Sequence, residues 1–144
     1  MMDGHFIDMK RQIQLFEYRL RWDDVKYTPG DLKAVAYKNG EKWAEEIVGT
    51  TGKAALLKME VDRSEINADG KDLSFITVKV MDEKGRVIPD ANNSIHFTIE
   101  GPGEIVATDN SDPTDMVAFP SPTRNAFSGL CLAVVKSKLN EKGL

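Results

Sequence analysis

Cys131 is the only thiol in the 144-residue chain, and His5 and His96 are its only imidazoles. A cysteine nucleophile needs a base close enough to make its thiolate. Cys131 stands in Leu130-Cys131-Leu132-Ala133-Val134-Val135, an apolar run that reads as a buried strand. A small core side chain is therefore expected there. His96 alternates with Ile95, Phe97 and Ile99, which puts its ring on the opposite, wet face of a strand. Cysteine–histidine catalysis is not supported, and one cysteine closes no internal disulfide.

Acids are plentiful, at 23 Asp and Glu. Glycoside cleavage needs two carboxylates held across the bond, one of them with a raised pKa. Here the acids fall in turns or on polar strand faces, without apolar or aromatic surroundings. Asp109-Asn110-Ser111-Asp112-Pro113-Thr114-Asp115 is the densest oxygen cluster. It fails the EF-hand spacing, since Ser111 and Pro113 occupy ligand places and no bidentate Glu follows. Turn-capping by Asx side chains is the expected role. Trp22 and Trp43, with Tyr18, Tyr27 and Tyr37, have the chemistry to stack on sugar rings. The competing roles are core packing for Trp22, in the apolar row of its strand, or a partner contact. No phosphate loop, zinc spacing or Gly-x-Ser-x-Gly elbow occurs. No catalytic, cofactor-binding or metal residue is assigned, and no cofactor is expected.

The charge balance excludes further classes. Lys and Arg number 19, for a net charge of −4, and neither sign forms a block. That leaves no basic footprint for nucleic acid. No apolar stretch approaches the roughly 18 residues of a membrane helix. Met1-Met2-Asp3-Gly4-His5 lacks the basic and apolar regions of a secretory leader. The 41% hydrophobic share supports a buried core. The length excludes a complete α/β barrel of about 250 residues. A single immunoglobulin-type sandwich needs about 100, so part of a second unit is left over.

Alternation with a period of two runs through the chain. Ile13 and Leu15, then Tyr18, Leu20 and Trp22, alternate with a slip near Phe16-Glu17. Thr28-Pro29-Gly30-Asp31 is a turn, and Leu32–Tyr37 and Lys42–Val48 read as strands joined at Asn39-Gly40, the dipeptide of a type I′ hairpin. A helical turn over Glu41–Val48 is the weaker reading. Gly49–Gly52 looks like a linker. Beyond it Leu57, Met59 and Val61 alternate, Asp69-Gly70 turns, and Leu73–Val80 is the strongest strand. Asp82–Gly85 turns, and Ile95, Phe97 and Ile99 form another inward row before Gly101-Pro102-Gly103 breaks it. Glu104–Ala107 resumes, Thr108–Asn125 is a long Pro-bearing loop, and Ala126–Lys136 is the last strand. The pattern predicts an all-β chain: an immunoglobulin-like β-sandwich over 53–144, preceded over 1–52 by part of a second small β-sandwich.

The ordered run of motifs resembles the carboxyl-terminal accessory region of bacterial β-galactosidases of glycoside hydrolase family 2. It comprises Tyr18-Arg19-Leu20-Arg21-Trp22 through Tyr27-Thr28-Pro29-Gly30 and Asn39-Gly40, then Trp43-Ala44-Glu45-Glu46 and Thr50-Thr51-Gly52. Ala68-Asp69-Gly70-Lys71-Asp72, Val87-Ile88-Pro89-Asp90-Ala91, Gly101-Pro102-Gly103, Asp112-Pro113-Thr114 and Ala126-Phe127 continue it. The resemblance covers about Tyr18 to Ser137 and implies an immunoglobulin-like, invasin-like sandwich downstream of a catalytic barrel. It implies a parent enzyme that hydrolyses β-galactosides with retention through two barrel glutamates. Neither glutamate motif is present, so no catalytic residue carries over. Ser111 replaces a family Gly, so a different backbone is expected there. The strands that open the first domain are not recognisable in residues 1–17, and the turn and closing strand that follow Ser137 in the family are reduced to 138–144. The implied partners are the barrel and neighbouring domains of the parent. A sandwich missing a strand exposes an unpaired edge, so pairing of Met9–Arg21 or Lys138–Leu144 in cis, or a homo-oligomer through edge strands, is expected, with no nucleic acid or membrane partner. The implied location is periplasmic or extracellular. Two other readings stay open: a carbohydrate-binding module using Trp22 or Trp43, and a free-standing adhesin-like sandwich.

Overall fold

The computed structural model describes residues 25–141, and the chain divides into two compact units, Met1–Thr50 and Thr51–Leu144. The expectations for Tyr18, Trp22, the slip at Phe16-Glu17 and the leader lie outside the described residues. The chain is all-β: its described residues form eight strands in three antiparallel sheets and no helix.

In the first unit, β1 (Asp31–Lys38) and β2 (Glu41–Gly49) form a hairpin. Asn39 and Gly40 take φ of 55° and 85°, the positive pair that a type I′ turn requires. That turn matches strand twist and sets Lys38 opposite Glu41. It also decides against a helical turn over Glu41–Val48, whose backbone groups go into the ladder instead. Ala36 pairs with Ala44 while Tyr37 pairs with Lys42, so Trp43 is the extra residue of a bulge.

Six strands build the second unit: β3 (Leu56–Val61), β4 (Leu73–Met81), β5 (Ser94–His96), β6 (Gly103–Asp109), β7 (Thr123–Asn125) and β8 (Leu130–Ser137). One sheet runs β3-β4-β8-β6, and β5 pairs with β7 in a second, much smaller one. Together they make a β-sandwich. The inner face of the larger sheet carries Val78 and Val80 of β4 beside Cys131 of β8. Ile95, Ile88, Ala91 and Ala126 close over them as one cluster. Burial pushes the Cys131 thiol pKa up, as expected of a core cysteine.

Three sequence expectations need adjustment. The row Ile95, Phe97, Ile99 is a strand only as far as His96; Ile95 is buried, Phe97 half-buried and Ile99 exposed. Gly101 at φ 99° turns the chain away before the alternation can continue. The stretch Thr108–Asn125 is not all loop, because β6 reaches Asp109 and residues 123–125 form β7. Leu57, Met59 and Val61 do share a face, but that face is open to solvent.

Gly129 fixes where these layers meet. Its amide donates to the Ala91 carbonyl at 3.0 Å, and its own carbonyl accepts from Val80 N at 2.8 Å. At φ 76°, a Cβ added there would lie 2.4 Å from the Ile88 carbonyl oxygen. Backbone strain of this kind alone costs about 1–3 kcal/mol. Gly129→Ala is expected to destabilise the second unit by roughly 3 kcal/mol in urea unfolding, whereas Gly85→Ala, also at positive φ (74°) but with open space around its Cβ, should lose only the backbone strain, about 1–2 kcal/mol.

Candidate functional site

The long segment between β6 and β7 is the richest polar structure of the second unit, and a single side chain organises it. Arg124 is the central residue of β7, paired across the sheet with buried Ile95. It therefore holds an inward position where a strand ordinarily places an aliphatic residue, and it is only 2% exposed. A buried guanidinium is tolerable only when its hydrogens find acceptors.

Each nitrogen of Arg124 is satisfied. Nη1 donates to Asp115 Oδ2 at 2.9 Å and to the Val117 carbonyl at 2.8 Å. Nη2 donates to the carbonyls of Thr108 at 2.7 Å and Ala118 at 3.1 Å, and Nε reaches Thr108 Oγ1 at 3.3 Å. Thr108 is itself buried and donates from Oγ1 to the Ser121 carbonyl at 2.7 Å. The loop is thus tied to β6 on one side and β7 on the other.

Asx capping does the rest. Asp109 Oδ1 accepts from the amides of Asn110 and Ser111 at 2.7 and 3.1 Å. Asn110 Oδ1 takes the Asp112 amide, and Asp112 Oδ1 takes the amide and hydroxyl of Thr114. Asp115 Oδ1 takes the Val117 amide at 2.8 Å, and Asn110 Nδ2 adds a bond to its Oδ2 at 2.9 Å. The Val117 amide, then the Arg124 guanidinium, hold the Asp115 carboxyl below the usual carboxylate range. Ser111 sits at φ 62°, in the left-handed region a glycine adopts readily.

A second clasp of the same kind lies at the start of the unit. Asp82, 2% exposed, accepts from the amides of Gly52, Lys84 and Arg86 at 2.9, 2.9 and 3.0 Å. The Arg86 side chain adds Nε at 2.9 Å and Nη2 at 2.7 Å. The Gly52 amide and then Arg86 drive the Asp82 pKa far down. Elsewhere Glu60 bridges Lys58 and Lys79, and Glu104 meets Lys136. Among the described residues, every carboxylate with a resolved shift lies below its ordinary value. These are anionic acceptors at neutral pH, the reverse of what a proton donor to a leaving group requires.

The aromatic and imidazole side chains singled out from the sequence are dispersed. Trp43 is 72% exposed on its bulge with Lys38 Nζ 5.9 Å from the ring centroid, a cation–π distance. Tyr37 and Tyr27 are exposed as well, and the Tyr27 hydroxyl lies 3.3 Å from Thr50 Oγ1. His96 faces outward with Nδ1 2.7 Å from Thr123 Oγ1, and Cys131 is buried away from it. Arg124 and Asp82 escape sequence reasoning because neither belongs to a spaced motif; only a lone Arg between Pro-bearing polar residues hints at the first.

Residues 57–143 match the family model for glycoside hydrolase family 2 C-terminal domain 5. The chain belongs to that family. Residues 2–44 match a second family model, a domain of unknown function, DUF4982. This glycoside hydrolase family 2 chain is 45% identical over 113 residues to the β-galactosidase BoGH2A of Bacteroides ovatus, a match covering 78% of the chain but 13% of that enzyme. It is 33% identical over 87 residues to a β-glucuronidase of Formosa agariphila, covering 59% of the chain and 9% of the relative. A crystal structure of a family 2 member from Bacteroides cellulosilyticus superposes with a TM-score of 0.78 at 35% identity, covering 83% of this chain and 16% of that one. The chain thus spans a small, accessory-sized part of each glycosidase it matches, in keeping with the C-terminal domain named by the family model.

Arg124→Met keeps much of the side-chain volume but leaves the half-buried Asp115 beside no cation and the carbonyls of Thr108, Val117 and Ala118 without their donor. Buried acceptors left without a donor cost roughly 1–3 kcal/mol, and urea unfolding should register a loss of at least that size. Because the Asp115 pKa is lowered on folding, its contribution is full above about pH 4 and fades as pH falls through the folded value. Acid titration of stability should therefore be flatter below pH 4 in Arg124→Met than in the unmodified chain.

Proposed function

We propose that this chain is a non-catalytic accessory region of a β-galactosidase-like glycoside hydrolase. Its work is spacing, packing against the catalytic barrel, or subunit assembly rather than bond cleavage. The observation that carries the reading is the 45% identity to BoGH2A, confined to 13% of that enzyme's length. The lowered pKa values of Asp82 and Asp115, the two carboxylates most enclosed by the second unit's polar clasps, support it, since glycoside cleavage needs one acid held protonated near neutrality. The parent cleaves O-glycosidic bonds, and a β-galactoside is the favoured substrate because the β-galactosidase match is stronger than the β-glucuronidase one. An exported parent, periplasmic or extracellular, belongs to the same proposal.

The test is a rate measurement. The purified chain should leave a chromogenic β-galactoside at the uncatalysed rate, while the full-length enzyme turns it over. Hydrolysis by the chain alone, abolished by one carboxylate substitution, would overturn the reading.

Exposed Trp43 favours a second reading, a sugar platform. Galactosides are expected to leave tryptophan emission unchanged in an accessory spacer. Saturable quenching that disappears in Trp43→Phe would assign carbohydrate binding instead.

A further inference from the structure

Thr108 is fully buried in β6, yet its backbone does not bond into the sheet that holds it. Among the described residues β6 is the outermost strand of the larger sheet, with β8 as its one neighbour there. Thr108 is paired with Ala133 of β8, but its N–H points the other way and donates to the Phe119 carbonyl at 2.7 Å. Its carbonyl accepts from Arg124 Nη2 at 2.7 Å. Edge groups of this kind are a template for pairing with another strand. Here the β6–β7 connection lies along the edge and occupies them.

The attachment of that connection is polar. Met116 and Phe119 are 93% and 62% exposed, and the apolar cluster of the sandwich contains no residue between Asn110 and Pro122. Within the segment, Asp115 N donates to the Asp112 carbonyl and Ser121 N to the Ala118 carbonyl. Its bonds to the sandwich converge on Arg124, through Asp115, Val117 and Ala118. Asn110 Nδ2 joins the same Asp115 carboxylate to the Asn125 carbonyl. Losing one of these acceptors leaves a buried charged donor unmet, which raises the cost of every partly attached state. The bonds therefore hold together or break together, and breaking them leaves the core packed.

We propose that residues 110–122 form a strap that opens and closes as a single unit, latched by Arg124, and that the closed strap caps the β6 edge at Thr108. Opening costs less than unfolding the sandwich. It releases a fully buried residue of the large sheet along with the exposed loop, and it leaves the Thr108 N–H and C=O available to a second strand. The proposal stands on the second unit alone and does not depend on the accessory-region reading.

Residue-resolved amide hydrogen exchange of the 144-residue chain, at increasing low urea, tests it. The amides of Thr108, Asp115, Val117 and Ser121 are expected to share one protection factor that hardly changes with urea, because little surface opens with them. Val80 N, which donates to the Gly129 carbonyl, should be at least about tenfold better protected and fall steeply with urea. Arg124→Lys keeps a charge but not the planar fork, and should lower the four strap amides together by on the order of tenfold. Val78→Ala should lower Val80 by a similar factor of roughly ten and leave the four unchanged. Thr108 exchanging in step with Val80 through the urea series overturns the proposal, since the strap then belongs to the cooperative unit of the sandwich. Four unrelated protection factors overturn it in favour of piecemeal fraying. The urea series uses only the unmodified chain, so it decides between these outcomes even where a variant fails to fold. Sedimentation supplies the edge arm: Arg124→Lys should associate more with rising concentration than the unmodified chain. Loss of strap protection without added association overturns the capping role.

Discussion

A charge buried at an aliphatic position governs the second unit. Arg124 stands opposite Ile95 on the inner side of the small sheet, where water cannot solvate its guanidinium. The chain must bring acceptors to it, and the acceptors it brings are the carbonyls of Thr108, Val117 and Ala118 and the carboxylate of Asp115. Because those groups are spread along the whole β6–β7 connection, satisfying one side chain fixes the path of a loop that has few apolar contacts of its own. An aliphatic residue would pack as well and leave that path undetermined. The same geometry holds Met116 and Phe119 at the loop's exposed tip.

Asp82 follows the same logic with the charges exchanged. There a buried carboxylate gathers amides from Gly52, Lys84 and Arg86 and the Arg86 side chain. It closes the tight turn after β4 and anchors the first residues of the unit. The fully buried hydrophobic set is modest and dominated by Val, Ile and Ala. In a sandwich with so thin a core, polar clasps take on the positioning that large aromatic side chains perform elsewhere.

The legible parts of the fold are those in which the signal is local. Asn39-Gly40 specifies its turn because two consecutive positive φ angles suit few other dipeptides. Asp69-Gly70 marks its turn through Gly70 alone, at φ 72°, and β4 is plain from Ile76, Val78 and Val80. The family is legible from the order of many weak motifs. What escapes is non-local. β7 has no apolar alternation because its inward residue is Arg124, so a strand reads as loop. The β3 row reads as one apolar face in sequence, and alternation reports a face without reporting what covers it. The Asp109–Asp115 cluster reads correctly as capping, yet the role of Asp115 depends on a cation nine positions along the chain that spacing rules do not encode.

The central place of β8 has a consequence for how the unit comes into being. β8 is the last of the eight strands among the described residues, yet it lies between β4 and β6 and hydrogen-bonds to both. During vectorial synthesis β3 and β4 can pair early, but β6 has no neighbour in its sheet until β8 leaves the ribosome. Closure of the sandwich thus waits on a strand separated from β4 by the entire intervening polypeptide, and such long-range pairing is slow. Over that interval the inner faces of β4 and β6 are open together, which makes the nascent unit a natural client for chaperones.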